Sequence, residues 1–502
     1  MSSLPYPLKA RNPVQDPVHG RIWLTEVELA IIDTVEFQRL RHISQLAPVD
    51  LVFPGATHNR FAHSIGAAHV MGLILSQQPF QRHFCDHMGR PDYVQLLRLA
   101  ALLHDIGHLP FSHVGETAWH AASSPTAFAY VDQDGSTVFD AAAGASGKSL
   151  HESLSELIVS ASQIASIIDI HVDSVDGQPP PSQIVASILS GRQTDLVAHN
   201  LLSSDLDCDR LDYLLRDSVS AGLVYGNIDL DYLIGNLVVA ADPGGAVLAI
   251  NGKHGRMAGE HFLLARYFHY AQFISHKTVA AAEVDLIAAI LELIRLEKLP
   301  SYGDLFVADA QQRLASLRTL TDHHVLATLE ACMTMDGAPH LAEASRRLLR
   351  RKLLKTAARH EALEAVPQSS DPRAHKWDTL LRDPDAKCIA AQRCGVDAEL
   401  FCYRRKSLPL TSIPGDIPTS HGVTEAGRRR TSQGVRKGAK ITDDLGRPEL
   451  LLERSSLLRH LSSQQWATRR VFVREPLDSY APRCPTKTFT RIASYFTQEL
   501  NT

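Results

Sequence analysis

Leu102-Leu103-His104-Asp105-Ile106-Gly107-His108 closes an apolar run that begins at Tyr93. The stripe Val94, Leu96, Leu97, Leu99, Ala100, Leu102, Leu103 predicts a buried helix over Tyr93–Asp105, with the His-Asp pair at its end. Burial of that helix directs both polar side chains to one locus. Buried polar groups need partners, and a divalent cation satisfies an imidazole nitrogen and a carboxylate oxygen together. Taken alone, the pair also reads as a helix end with an incidental histidine. Its surroundings add donors. His63 lies upstream in His58-Asn59-Arg60-Phe61-Ala62-His63-Ser64, and Asp209 downstream in Asp207-Cys208-Asp209-Arg210-Leu211-Asp212-Tyr213. His63, His104, Asp105 and Asp209 make two nitrogens and two oxygens from three predicted helices. That set suits Mg²⁺, Mn²⁺, Fe²⁺ or Zn²⁺, with positions left for water or a phosphate.

The chain has 502 residues, enough for roughly two to four domains and a large core. With 44% apolar and 21% charged residues it is neither fibrous nor wholly disordered. Lys plus Arg is 51 and Asp plus Glu 55, so no overall positive field advertises nucleic-acid binding. The seven cysteines form no CxxC pair and are odd in number, which predicts reduced thiols in a cytoplasmic protein. The N-terminus carries no apolar signal region. Val284–Ile294 is strongly apolar but short, and it carries Asp285 and Glu292; it predicts a buried helix and no membrane span.

The expected fold is mainly α, a helical bundle with a small β-hairpin and a mixed α/β C-terminal region. Residues 1–20 read as an extended arm and 21–300 as the main helical unit, with an exposed insertion at 115–148. Helices are expected over His58–Leu75, Asp205–Arg216 and about Glu260–Leu296. Ser149-Leu150-His151-Glu152 fits a capping box. Leu237–Ala241 and Ala246–Ile250 flank Asp242-Pro243-Gly244-Gly245, a hairpin pattern. Residues 301–406 read as a helical extension, 407–440 as a Pro/Gly/Arg-rich loop and 441–502 as an α/β region.

Several motifs carry a family resemblance: Asp16-Pro17-Val18-His19-Gly20, Ile31-Ile32-Asp33-Thr34, Phe37-Gln38-Arg39-Leu40-Arg41, Phe53-Pro54-Gly55-Ala56, His58-Asn59-Arg60-Phe61 and Gly107-His108-Leu109-Pro110-Phe111-Ser112-His113. With H…HD…D, they resemble the HD-domain metal-dependent phosphohydrolases, and within them the SAM-and-HD-domain deoxynucleoside triphosphate triphosphohydrolases and their bacterial relatives. The resemblance runs from about Asp16 to Lys277, and no sterile-alpha-motif domain is recognisable at the N-terminus. It implies an HD domain over 21–300 and the metal ligands His63, His104, Asp105 and Asp209. It implies proton transfer and phosphate contacts by His108, His113 and His151. Arg60, Arg266 and Lys277 are candidate phosphate clamps, and helical spacing puts Arg266, His269, His276 and Lys277 on one face. Gln45, Leu46, Tyr213 and Asp217 match positions around the sugar: Gln45 and Asp217 for a 3′-hydroxyl, Leu46 and Tyr213 against a 2′-hydroxyl. Asp33, Gln38 and Arg41 match a guanine-recognising regulatory set. The basic run 346–355, with Arg351 and Lys355, resembles a helix that completes a regulatory nucleotide site at subunit contacts. Ile274 and Ala280 depart from the family, which has an aromatic residue and an asparagine there.

The resemblance implies metal-dependent hydrolysis of a dNTP to deoxynucleoside and triphosphate, in a homo-oligomer (dimer or tetramer) with nucleotide regulation. Two alternatives stand beside it. One is an HD-type phosphohydrolase or phosphodiesterase acting on another nucleotide or a nucleic-acid end. The other is a nucleotide- or single-strand-binding scaffold, which the basic patch Arg428, Arg429, Arg430, Arg436, Lys437 and Lys440 would serve.

Overall fold

The apolar run that ends in His104 is a helix, Tyr93–Leu103, and every residue in it except Tyr93 is buried. The computed structural model describes residues 4–123, 149–192, 195–335, 338–365, 372–382, 384–395, 401–409, 439–462, 464–473 and 486–501. The Arg60–Leu75 helix packs along Tyr93–Leu103 on one side and against the Cys208–Ala221 helix on the other. Asn59 caps the first and Asp207 the last, each accepting a backbone N–H in the first turn. Buried Arg98 ties the bundle to the N-terminus: it donates to Glu28 at 2.7 and 2.9 Å and to the Ala68 carbonyl at 3.0 Å. Leu150–Ala161, with the capping box at Ser149, and Pro181–Leu189 extend the bundle. Lys277–Arg295 contains the predicted buried Val284–Ile294 segment and packs on His113–Ala122.

Three small sheets accompany the helices. β1 (Asn12–Asp16) and β2 (Gly20–Leu24) form an antiparallel hairpin. β3 (Leu237–Asp242) and β4 (Gly245–Ile250) pair antiparallel from Leu237↔Ile250 to Asp242↔Gly245. β4 pairs parallel with β7 (Lys440–Thr442), which pairs with β8 (Pro448–Leu450). In the third sheet, β9 (Gln464–Val473) lies between β5 (Lys355–Ala365) and β6 (Phe401–Pro409). The fold is mainly α with small sheets, as the sequence predicts. No single helix among the described residues is long and apolar enough to cross a membrane. Cys85, Cys208, Cys332, Cys388 and Cys394 are free thiols.

Several expectations are corrected. Residues 12–16 are a strand, not an extended arm, because Asp16 is buried and accepts from Arg216 at 2.8 Å. The insertion does not begin at 115: His113–Ala122 is a helix whose Trp119 is fully buried and donates to the Pro300 carbonyl at 2.9 Å. The rest of that segment, 124–148, lies outside the described residues, as do Arg428, Arg429, Arg430, Arg436 and Lys437. The long helix expected over 260–296 is broken. Arg256–His269 runs into a π-helical turn, Tyr270–Ile274, and a new helix starts at Lys277 with His276 as its N-cap. The single basic face from Arg266 to Lys277 therefore does not exist. The basic run 346–355 is not one helix either. Pro339–Leu349 ends, Arg351 takes a left-handed backbone (φ 52°), and Lys355 opens β5. Strands β5 and β6 likewise interrupt the expected helical extension.

Candidate metal centre and its cavity

The Tyr93–Leu103 helix stops at His104, and the chain turns through Asp105, Ile106 and Gly107. The turn lies flat on the Leu150–Ala161 helix because Gly107 has no side chain. A Cβ there would collide with the His151 carbonyl and the Ser155 amide. Gly107 N donates to Ser155 Oγ at 3.0 Å, and Ser155 Oγ donates to the His104 carbonyl at 2.8 Å. Buried Arg39 grips the turn from the other side, donating to the carbonyls of Ile106 (2.9 Å), His108 (2.8 Å) and Leu320 (3.0 Å). Asp322 accepts from Phe111 N at 2.7 Å and from Ser44 N at 2.9 Å. Phe111 and Ser112 there adopt φ of 60° and 55°, a conformation that costs non-glycine residues about 1–3 kcal/mol each.

This scaffold brings the four predicted ligands together. One ligand atom from each of His63, His104 and Asp105 lies within 4.8 Å of the others. Asp209 Oδ1, one residue into its helix, is 3.0 Å from His63 Nε2 and 3.6 Å from His104 Nε2. Both histidines present Nε2 because Nδ1 is taken. His63 Nδ1 faces Asp212 Oδ2 at 2.8 Å, and His104 Nδ1 faces the Ala101 carbonyl at 2.7 Å. Burial disfavours charge on His63, but Asp209 and Asp212 outweigh it and raise its pKa to about 10. Burial likewise opposes ionisation of Asp105, yet Arg60, His104 and His108 hold it well below the usual carboxylate range. The buried Nε2 atoms of His63 and His104 face these carboxylates but make no hydrogen bond of good geometry. Orphaned imidazole nitrogens facing carboxylates fit a divalent cation.

A second cluster adjoins it. His108 Nδ1 is 2.7 Å and His151 Nδ1 2.9 Å from Glu116 Oε1, and His113 Nδ1 is 3.7 Å from Glu116 Oε2. The rings of His108 and His151 stack at 4.0 Å. The two stacked rings titrate far apart. Burial, helped by Arg60 and His151, pushes His108 down to about 4. Burial opposes charge on His151, but Glu116 overrides it and raises it to about 9. His151 is thus a charged donor beside a neutral imidazole. These four side chains could also hold a cation.

Both clusters open into a cavity of about 660 Å³. Gln45, Leu46, Tyr213, Asp217, His269, Tyr270 and Ile274 also line it. Arg60 reaches the wall but is committed to Asp105 and Ser112. Arg266 lines it and pairs with Asp205 at 3.1 Å. His276 and Lys277 are not among the lining residues. Nor are Asp33, Gln38, Arg41, Arg351 and Lys355. Gln38 Oε1 accepts from Arg41 Nε at 2.7 Å, Arg41 stacks over Phe61 at 3.5 Å, and Arg351 donates to the Leu51 carbonyl at 2.6 Å.

Sequence reasoning missed Glu116, Arg210, Asp212 and His58, and placed His269 on a basic stripe rather than beside Asp217. Glu116 stands three residues after His113, and Asp212 three after Asp209, so helical spacing was the available signal. Arg210 lines the cavity and pairs with Asp207, the helix cap.

The HD-domain family matches residues 60–217. An uncharacterised protein of Methanocaldococcus jannaschii is 32% identical over 286 residues, 57% of this chain and 51% of that protein. The deoxynucleoside triphosphate triphosphohydrolase SAMHD1 of Danio rerio is 27% identical over 351 residues, 67% of this chain and 53% of that protein. These matches span about half the length of the curated relatives. The crystal structure of a phosphohydrolase from Bacteroides thetaiotaomicron shares the fold. Its TM-score is 0.63 at 22% identity, over 93% of this chain and 100% of that one. From the arginine that grips Asp105 to the aspartate on the cavity wall, the segment that builds the donor cluster is the segment that matches the HD-domain family, residues 60–217.

Proposed function

We propose that the chain hydrolyses a deoxynucleoside triphosphate to deoxynucleoside and inorganic triphosphate. What carries the reading is that two sets of side chains meet in one cavity. They are a His/Asp donor set beside a His-Glu-His relay, and a wall of Gln45, Leu46, Tyr213 and Asp217. The likeness to proteins named deoxynucleoside triphosphate triphosphohydrolases supports it. A divalent ion held by His63, His104, Asp105 and Asp209 would polarise a phosphate oxygen and acidify a bound water. Arg210 and Arg266, each steadied by an aspartate, face the cavity and neutralise phosphate charge. His151 or His113 gives its proton to the departing 5′-oxygen, with Glu116 holding the imidazole in place. Leu46 and Tyr213 crowd a 2′-hydroxyl, and Gln45 and Asp217 bind the 3′-hydroxyl. Homo-oligomerisation and nucleotide regulation through Asp33, Gln38 and Arg41 belong to the same proposal.

One observation favours a second reading. Arg60 is committed to Asp105, and Lys277 lies off the cavity wall, so two of the three predicted phosphate clamps do not present a free cation to the cavity. A monophosphate or a nucleic-acid end carries less charge. Product analysis separates the two. Each dNTP, alone and mixed, is incubated with Mg²⁺ or Mn²⁺ beside a His104→Ala/Asp105→Ala variant. Deoxynucleoside plus intact triphosphate, lost in the variant, is the expected result. Activity only in mixtures would support regulation. Turnover of monophosphates or nucleic-acid ends without dNTP hydrolysis would sink the first reading.

A further inference from the structure

Phe111 and Ser112 hold left-handed backbone torsions, φ 60° and 55°, directly ahead of the His113–Ala122 helix. Neither is a glycine, so the conformation persists only where its surroundings enforce it, and strain of this kind gathers at functional sites. The enforcing group is Asp322. It opens the Asp322–Cys332 helix, outside residues 60–217, and is 4% exposed. Its Oδ1 accepts from Phe111 N at 2.7 Å, and its Oδ2 accepts from Ser44 N at 2.9 Å and Ser44 Oγ at 2.5 Å. Ser112 closes the ring: its Oγ donates to the Ser44 carbonyl at 2.6 Å and accepts from Arg60 Nε at 3.0 Å.

One buried carboxylate thus joins two segments that are distant in the sequence. Each carries a cavity residue beside the join: Gln45 follows Ser44, and His113 follows Ser112. Hydrogen bonds to a carboxylate are short and strong, so three of them fix direction as well as distance. The torsions of Phe111 and Ser112 set where the next helix starts, and hence where the His113 ring points. Without the join, both residues are stabilised by relaxing to ordinary torsions, and His113 moves with them.

We infer that Asp322 is a positioning residue for proton delivery: by fastening the Phe111–Ser112 turn to Ser44, it holds His113 against the oxygen that leaves the α-phosphorus. The inference rests on the dNTP reading above, in which an imidazole supplies that proton. It adds a residue that is not on the cavity wall and names His113 as the group through which it acts. In the net reaction water gives its hydroxyl to the α-phosphorus. Its other hydrogen ends, by way of the imidazole, on the 5′-oxygen as the bond from that oxygen to phosphorus breaks. A donor displaced by about 1 Å loses on the order of 10²-fold in rate. That loss is confined to leaving groups that need a proton.

The test compares a dNTP with its analogue carrying sulfur in place of the 5′-oxygen, whose thiolate departs without a proton. Both are assayed with Mn²⁺ in wild type, Asp322→Ala, Asp322→Asn and His113→Gln. Within one protein sample the ratio of two substrates does not depend on how much of the chain is folded. Asp322→Ala should lower kcat about 10²-fold on the dNTP and less than about threefold on the sulfur analogue. Asparagine offers one acceptor oxygen in place of two and turns its NH₂ toward a donor, so Asp322→Asn should shift the ratio the same way. His113→Gln should reproduce the shift. Equal losses on both substrates in the Asp322 variants would make the residue a structural tie alone and overturn the inference. A raised KM at an unchanged ratio would route its effect through Ser44 and Gln45, and overturn it equally. If His113→Gln shows no preference for sulfur, the proton comes from elsewhere, and the inference falls while the dNTP reading stands. A wild type inert toward every dNTP removes that reading, and the inference with it.

Discussion

His63 offers Nε2 to the donor cluster because Asp212 holds Nδ1, and Asp212 is itself held. Arg216 donates to both of its oxygens, at 2.8 and 3.0 Å, and His19 Nε2 lies 2.6 Å from Oδ1. A Cβ on Gly66 would collide with this Asp212–Arg216 pair, so the ligand helix needs glycine at that position. The carboxylate therefore sets the tautomer and the aim of the His63 ring from outside the donor cluster. Asp212→Asn should weaken Mn²⁺ binding about 10–100-fold, read by equilibrium dialysis; unchanged affinity would remove Asp212 from the orienting role. At this scale the convergence of His63, His104, Asp105 and Asp209 was legible, because adjacent His-Asp at the end of an apolar helix is a chemically odd choice. Asp212 stood inside a quoted motif yet had no visible role. The sequence does not reveal which carboxylate faces the metal and which faces its ligand.

Most helices announced themselves by periodicity and caps. The exceptions have physical causes. Lys355–Ala365 is rich in Ala and Glu, good helix formers, yet it is a strand. Its pairing with β9 over Lys355↔Val473 to Ala365↔Gln464 overrides local preference, and a partner about a hundred residues away is invisible to a local reading. The break at Tyr270–Ile274 has no glycine or proline to mark it, so the basic stripe was read as continuous. The turn after His104 is the element on which the site depends most closely. Gly107→Ala should push it off the Leu150–Ala161 helix at a cost of about 1–3 kcal/mol, seen as a lower urea midpoint. An unshifted midpoint would mean that the turn does not need its close approach to that helix.

Across the whole molecule, the N-terminal hairpin acts as a brace for the centre. Its Asp16 holds Arg216, its His19 meets Asp212, and His69 lies under it with its ring 5.1 Å from His19. Burial, helped by His19 and Arg98, lowers His69 from 6.5 to about 4. The unfolded chain therefore takes up a proton that the folded chain refuses. Stability from this residue is complete above pH 6.5 and is lost as pH falls toward 4, by up to about 3 kcal/mol. His69→Gln should flatten the urea midpoint across that window; a slope identical to wild type would assign the acid sensitivity elsewhere. The fold class could be read in advance because the apolar stripes and motifs are local. The brace could not, since it joins residues about two hundred positions apart.

The grip of Arg39 and Asp322 on the turn bears on how this domain can be handled. Both residues lie outside the segment 60–217 that carries the family motif. Anyone who excises that segment as a portable module leaves behind the two side chains that fasten its central turn. For protein engineering, the smallest transplantable unit is set by those hydrogen bonds and runs at least from Asp16 to Asp322.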